Sequence, residues 1–165
     1  MNDFIYDGGE VILREQQEVT GLDYKVPYIV TEYNGHMFPT KRFDNEHRLI
    51  EHALRHATIQ NEAALREDIM GAIGWCAFDY NTHYDFGSGD RICYHGVMDM
   101  FRIPKWAAYV YASQMNPKEK IVLQPLSHWS VGDRNKGGVS PLIILTNCDY
   151  IEVSVEGKGK ERFYP

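Results

Sequence analysis

P-Y-I-V-T-E-Y, from Pro27 to Tyr33, is a β-branched and aromatic run that closes on a carboxylate and leads into the polar stretch N-G-H-M-F-P-T-K. A short apolar run bounded by Pro on one side and Asn-Gly on the other reads as a strand covered on both faces, the kind found in parallel sheets. Such a strand carries Glu32 at its C-terminal end. After the loop, Asp44 reads as an N-cap with Glu46 in the first turn. Leu49, Ile50, Ala53, Leu54 and Ala57 then recur at helical spacing, so an amphipathic helix is expected to reach Leu65. Ile69 to Tyr80 (I-M-G-A-I-G-W-C-A-F-D-Y) reads as a second buried strand, with Gly71, Ala72, Gly74 and Ala77 small where neighbouring backbone is to approach. It ends in the polar N-T-H-Y-D. A Gly- and Asp-rich loop from Phe86 to Met100 precedes Pro104 to Gln114, where Pro104 suits a first helical turn and Trp106, Ala107 and Val110 are expected to face inward. Strand, helix, strand, helix implies parallel pairing through crossovers, with functional loops at the C-terminal ends of the strands.

The flanks read differently. Met1 to Lys25 has no clean period and is expected to be a long connection with one short helical piece around Glu15 to Val19. Near Asn116-Pro117 the character changes. Ile121 to Leu126, Pro141 to Leu145 and Tyr150 to Val155 are separated by Gly, Asn and Asp turns, as antiparallel sandwich strands would be, which places a domain boundary at about residue 117.

The whole chain of 165 residues has a formal net charge of -6 with no basic run, which argues against nucleic acid or an anionic membrane as partner. Its first residues, MNDFIYDGGE, have neither the basic nor the apolar segment of an export signal, and no apolar stretch approaches the roughly 20 residues needed to cross a bilayer. Cys76, Cys93 and Cys148 lack paired spacing and read as reduced thiols. Aromatics reach 13% and many adjoin Gly, Asn, Asp and His, a mixture suited to sugar rings and equally to cores.

Position alone leaves Glu32 open between catalysis and capping a loop or pairing with a lysine. Asn34 and His36 are placed to reach sugar hydroxyls or to satisfy local backbone. Tyr33 either holds Glu32 or fills the core. Asp79 and His83 come next at the rim, where solvated or supporting roles are favoured. His52 and His56 share a helix face at i, i+4; with no third ligand evident, a solvated face is expected rather than zinc. Lys41 and Arg42 are expected to pair with nearby acids.

V-P-Y-I-V-T-E-Y-N-G-H-M-F-P-T-K resembles the nucleophile motif of family-2 glycoside hydrolases, and G-A-I-G-W-C-A-F-D-Y is similar to that family's last barrel strand. H-G-V-M-D-M-F-R-I-P-K-W-A resembles the loop and helix that the family places after its last strand, and T-N-C-D-Y-I-E-V-S-V-E-G-K resembles the start of the family's immunoglobulin-like domain. The resemblance implies an α/β fold, with the last two βα units of a (β/α)8 TIM barrel in residues 1–117 and the first strands of an immunoglobulin-like β-sandwich in 118–165. It implies Glu32 as nucleophile, Trp75 walling the sugar subsite, and His36, Asn34 and Tyr33 near the substrate. The implied partner is a carbohydrate, a β-galactoside. β-Glucuronidases and β-mannosidases share the motif, and a non-catalytic carbohydrate-binding module is the alternative from another class. No cofactor, metal, nucleic acid or membrane is implied, and the compartment, cytoplasmic or periplasmic, stays open. The family's acid/base glutamate has no counterpart here, and none of Glu10, Glu15, Glu18 and Glu46 has its setting. A complete barrel takes about 250 residues. The chain is therefore expected to be inactive alone, and to associate with itself or with the missing part of its own chain.

Overall fold

The computed structural model describes residues 4–7, 10–35, 38–84, 89–129 and 140–165, with main chain alone before Leu13. The chain forms two compact units, Met1–Val110 and Tyr111–Pro165.

In the first unit, β1 (Phe4–Asp7) and β2 (Glu10–Leu13) form an antiparallel hairpin where a long connection is expected. The short helix α1 (Gln16–Thr20) comes next, ended by Gly21 at φ 70°, whose N–H returns to the Gln17 carbonyl at 2.8 Å. β3 (Tyr28–Tyr33) then runs parallel to β4 (Ile69–Gly74), with α2 (Glu46–Leu65) between them in sequence and packed on β4 and β2. This is the strand–helix–strand unit expected from the apolar pattern.

Details differ from the expectation. The N-cap of α2 is Asn45, whose Oδ1 accepts the Arg48 N–H at 3.0 Å, while the Asp44 carboxylate accepts the Lys41 N–H at 2.7 Å. The buried stripe of α2 is Leu49, His52, Ala53, His56, Ile59 and Ala63, and Leu54 is exposed. The stripe is thus rotated toward the two histidines, which a count of apolar residues alone assigns to solvent. A fully buried aliphatic side chain such as Ile59 contributes about 1.5–3 kcal/mol. The C-terminal end of α2 is held by Arg66, which donates to the Leu13 carbonyl at 2.7 Å and pairs with Asp68 at 2.6 Å.

β4 stops at Gly74, short of Tyr80. Tyr80–Asn81 forms β5, antiparallel to β6 (Ile92–Cys93) within what reads as loop. Among the described residues, a Cβ on Gly71 would meet no atom within 4 Å. The helix after Pro104 is shorter than expected, α3 (Ala108–Ala112), although Trp106, Ala107 and Val110 are buried as the pattern predicts.

In the second unit, β7 (Leu123–Pro125) pairs antiparallel with β8 (Ile144–Thr146), and β9 (Ile151–Val155) with β10 (Gly159–Phe163). The Asn147 side chain ties the approach to β7: its Oδ1 accepts the Val122 N–H at 2.8 Å, and its Nδ2 donates to the carbonyls of Met115 at 2.9 Å and Lys120 at 2.8 Å. Among the described residues of this unit, Val122 and Leu126 are the buried apolar ones. Among the described residues, no helix is long and apolar enough to cross a membrane.

Candidate active site

The parallel pair sets the site. Tyr28 faces Ile69, Ile29 faces Gly71, Val30 faces Ala72 and Tyr33 faces Gly74, with one register shift that leaves an extra residue in β4 after Ile69 and a second that leaves one in β3 after Val30. One step further, the Trp75 N–H donates to the Tyr33 carbonyl at 2.8 Å. Glu32 and Trp75 therefore stand at adjoining C-terminal strand ends. Glu32 is half-buried, and its carboxylate turns over Gly35, where a Cβ would collide with Oε1.

Asn34 leaves the strand in the left-handed region at φ 57°, a conformation Asn tolerates better than most residues. It is 8% exposed, and its Nδ2 has no hydrogen-bond partner. Tyr33 is fully buried, accepts a hydrogen bond from Gln60 Nε2 at its hydroxyl at 2.7 Å, and lies edge-on to His56 at 5.6 Å between ring centroids. The structure thus places Tyr33 in the core rather than in an open cleft. His36 lies outside the described residues. His83 is exposed.

Trp75 and Asn34 meet at a small cavity of about 10 Å³, whose other walls include Phe38, His52, His56 and His95. Glu32 does not line it. The indole of Trp75 is 36% exposed and lies edge-on to Tyr80 at 6.0 Å. Phe38 is held by the guanidinium groups of Arg48 at 4.2 Å and Arg55 at 4.0 Å from its ring centre.

His52 and His56 are 4% and 1% exposed, which corrects the expectation of a solvated helix face. Their spacings from Leu49 and Ala53 put them on the same buried stripe. Burial, reinforced by the nearby His56 and Lys105, lowers the pKa of His52 well below its ordinary value, so the ring is neutral at pH 7; it donates to the main-chain carbonyl of His95. Among the described residues, no three of His, Cys, Asp and Glu are grouped to hold a metal ion.

Beneath the rim lies a buried ion pair. Lys105 Nζ, with no side-chain exposure, donates to Asp79 Oδ1 at 2.6 Å, to the Thr40 carbonyl at 2.6 Å and to the Tyr94 carbonyl at 3.2 Å. Asp79 Oδ1 also accepts the Gly96 N–H at 2.9 Å. Burial shifts both groups toward their neutral forms, raising Asp79 and lowering Lys105, while their mutual hydrogen bond opposes each shift. One cation thereby joins the segments after β3, after β4 and after β6. Asp79 has the supporting role favoured for it, whereas Lys105 carried no sequence signal beyond its place beside Pro104. At the surface, Lys41 pairs with Asp90 at 3.4 Å and Arg42 with Asp99 at 3.3 Å, as expected. Cys76 and Cys93 are free thiols, and burial pushes Cys76 up to about 12, so it stays protonated and is no nucleophile at neutral pH.

A half-buried carboxylate at the C-terminal end of a parallel strand has the chemistry of an anionic nucleophile or of a stabiliser for developing positive charge. No family model matches the chain. It is 66% identical over 165 residues, 99% of its length, to a protein named beta-galactosidase from Thermoanaerobacterium thermosulfurigenes. It is 49% identical over 162 residues, 93% of its length, to a beta-galactosidase of Rhizobium meliloti, and 42% identical over 165 residues, 99% of its length, to one of Thermoanaerobacter pseudethanolicus. The chain spans about a fifth of the length of these curated relatives, 23%, 22% and 21% respectively.

Proposed function

We propose that this chain, a homologue of beta-galactosidases over nearly its whole length, is the nucleophile-bearing part of a retaining β-galactosidase of glycoside hydrolase family 2. Glu32 attacks the anomeric carbon as the glycosidic bond breaks and the aglycone oxygen leaves with a proton from a second carboxyl, giving a glycosyl-enzyme that water then hydrolyses, while the face of Trp75 packs on the apolar side of the sugar ring. The observation that carries this reading is the hydrogen bond from Trp75 to Tyr33, which sets the carboxylate and the indole at neighbouring ends of two parallel strands. In that arrangement β3 and β4 are the last strands of a (β/α)8 barrel, and the hairpins of the second unit belong to an immunoglobulin-like sandwich.

Retaining hydrolysis needs a second carboxyl about 5–5.5 Å from the first to shuttle the proton. In this reading it comes from sequence outside these residues, and the chain by itself does not turn over. Ile29, Met70 and Ile73 on the parallel pair are exposed apolar groups, which supports further strands or another copy covering them. The names of the relatives favour galactosides over glucuronides and mannosides, and an enzyme over a binding module.

A 2-deoxy-2-fluoro-β-galactoside with a good leaving group tests the assignment in the complete enzyme. Inactivation with the label on the peptide carrying Glu32 is expected. A label on any other carboxylate overturns it.

A further inference from the structure

We infer that His52 and Asn34 form a pocket for a single hydroxyl of the bound sugar, so that a residue of helix α2 helps determine which glycoside is accepted. This inference rests on the galactosidase reading above. It is carried by the cavity at Trp75, whose lining includes the imidazoles of His56 and His95 and two side-chain nitrogens that are buried without a hydrogen-bond partner, Nδ1 of His52 and Nδ2 of Asn34. Both residues are more than nine-tenths buried, His52 at 4% exposure and Asn34 at 8%.

The two atoms have opposite hydrogen-bonding character. His52 donates to the carbonyl of His95, and because Nδ1 is the nitrogen without a partner, the donor is Nε2. In a neutral imidazole one nitrogen donates and the other accepts, so Nδ1 presents a lone pair to the cavity. Asn34 Nδ2 presents an N–H. A hydroxyl is the group that satisfies both, giving its hydrogen to His52 and taking one from Asn34. A carboxylate has no hydrogen for Nδ1, an ammonium no lone pair for Nδ2, and an apolar group satisfies neither.

Size and position narrow the choice. At about 10 Å³ the cavity admits one water-sized group, so a hydroxyl enters while the ring bearing it stays outside. Trp75 forms one wall, so in the galactosidase reading a sugar packed on the indole is a neighbour of this cavity. His52 is held by α2 through its buried neighbours Leu49 and Ala53, which gives the acceptor a fixed direction. Water has the same hydrogen-bonding character, and the test separates it from the sugar.

The test compares 4-nitrophenyl β-galactoside with its 2-, 3-, 4- and 6-deoxy analogues on the complete enzyme and on its Asn34→Ala and His52→Phe variants. Each deoxy analogue carries a penalty in kcat/KM on the parent enzyme. For one position, where that penalty is roughly 10-fold or more, it is expected to shrink to near unity in both variants, because the buried partner is already gone. The other three penalties stay as they were. If both variants slow all five substrates by one common factor, or slow none, the pocket holds water or packing only and the inference is overturned. If His52→Phe does not fold, Asn34→Ala carries the same comparison alone. Failure of the parent enzyme to hydrolyse the galactoside refutes the galactosidase reading and this inference with it, whereas a common factor on an active enzyme refutes the pocket alone.

Discussion

The carboxylate of Glu32 occupies the space into which a Cβ on Gly35 would project. The obstacle is the far end of a flexible side chain, so Gly35→Ala should cost little stability and should act by turning the carboxylate away. A displacement of about 1 Å at a reacting group is worth on the order of 100-fold in rate. The expected result in the complete enzyme is a fall in kcat of that order, with urea unfolding nearly unchanged. Unaltered kcat would show that the Glu32 side chain is set by something other than its glycine neighbour.

The Lys105–Asp79 pair should behave as a structural latch. Replacing Lys105 by Met leaves the Asp79 carboxylate buried without its cation and removes the donor to the Thr40 and Tyr94 carbonyls. Breaking one side of a buried pair costs about 3–5 kcal/mol, which is a large share of a domain's stability. Exchanging both partners for apolar residues should cost less than the single change. Denaturant unfolding of Lys105→Met and of the double Lys105→Met, Asp79→Leu variant checks the order.

Gly96 admits no side chain for a related reason. A Cβ there would run into the main chain of Phe78, Asp79 and Met98, and backbone cannot swing aside as Glu32 can. Gly96→Ala should therefore destabilise the first unit by more than Gly35→Ala. It should also weaken the Gly96 N–H bond to Asp79 Oδ1, now 2.9 Å. Hydrogen exchange at the Gly96 and Lys105 amides, compared with the parent chain, measures it.

The parallel strands and the long helix were legible because their apolar periods are clean and their boundaries carry Pro, Asn and Gly. The amino-terminal hairpin was not legible, because F-I-Y-D-G-G-E-V-I-L offers strands of only four residues around a Gly pair, too short to separate from a loop by period. The break after Gly74 was hidden by an apolar run that continues through Trp75, Cys76 and Ala77 while the backbone leaves the sheet. The strand-end positions of Glu32 and Trp75 were legible from the apolar runs that precede them. His52, His56 and Lys105 were not, since polar residues count as solvent-facing until the neighbours that neutralise or pair them are known. The spacing of His52 and His56 from Leu49 and Ala53 was the available signal, three residues in each case along the same face of α2.

His52 sets a pH dependence with a definite sign. Its folded-state pKa lies well below 6.5, chiefly because burial disfavours the cation. The unfolded chain takes up a proton near pH 6.5 and the folded chain does not, so the stability it contributes is present above that pH and is lost as the pH falls below it. The loss for one such histidine approaches about 1.4 kcal/mol per pH unit once the unfolded form is fully protonated. Urea midpoints between pH 7.5 and 5 should fall on acidification, and His52→Gln should flatten the slope; an unchanged slope would mean that His52 protonates in the folded protein.

Tyr33 and Gln60 separate a core role from a substrate role. Gln60 Nε2 donates both to the Tyr33 hydroxyl at 2.7 Å and to the Ala72 carbonyl at 3.0 Å, so it fastens α2 to both strands of the parallel pair. Tyr33→Phe removes one of these bonds and leaves Gln60 its other acceptor, for an expected cost of about 0.5–1.5 kcal/mol. Gln60→Leu strips both, and should cost more although Gln60 is the less buried residue. Because the Tyr33 ring is closed off from solvent, neither change should alter KM for a galactoside in the complete enzyme beyond twofold or so. A large rise in KM for Tyr33→Phe, with stability intact, would instead mean that the Tyr33 hydroxyl leaves Gln60 for the sugar when substrate binds.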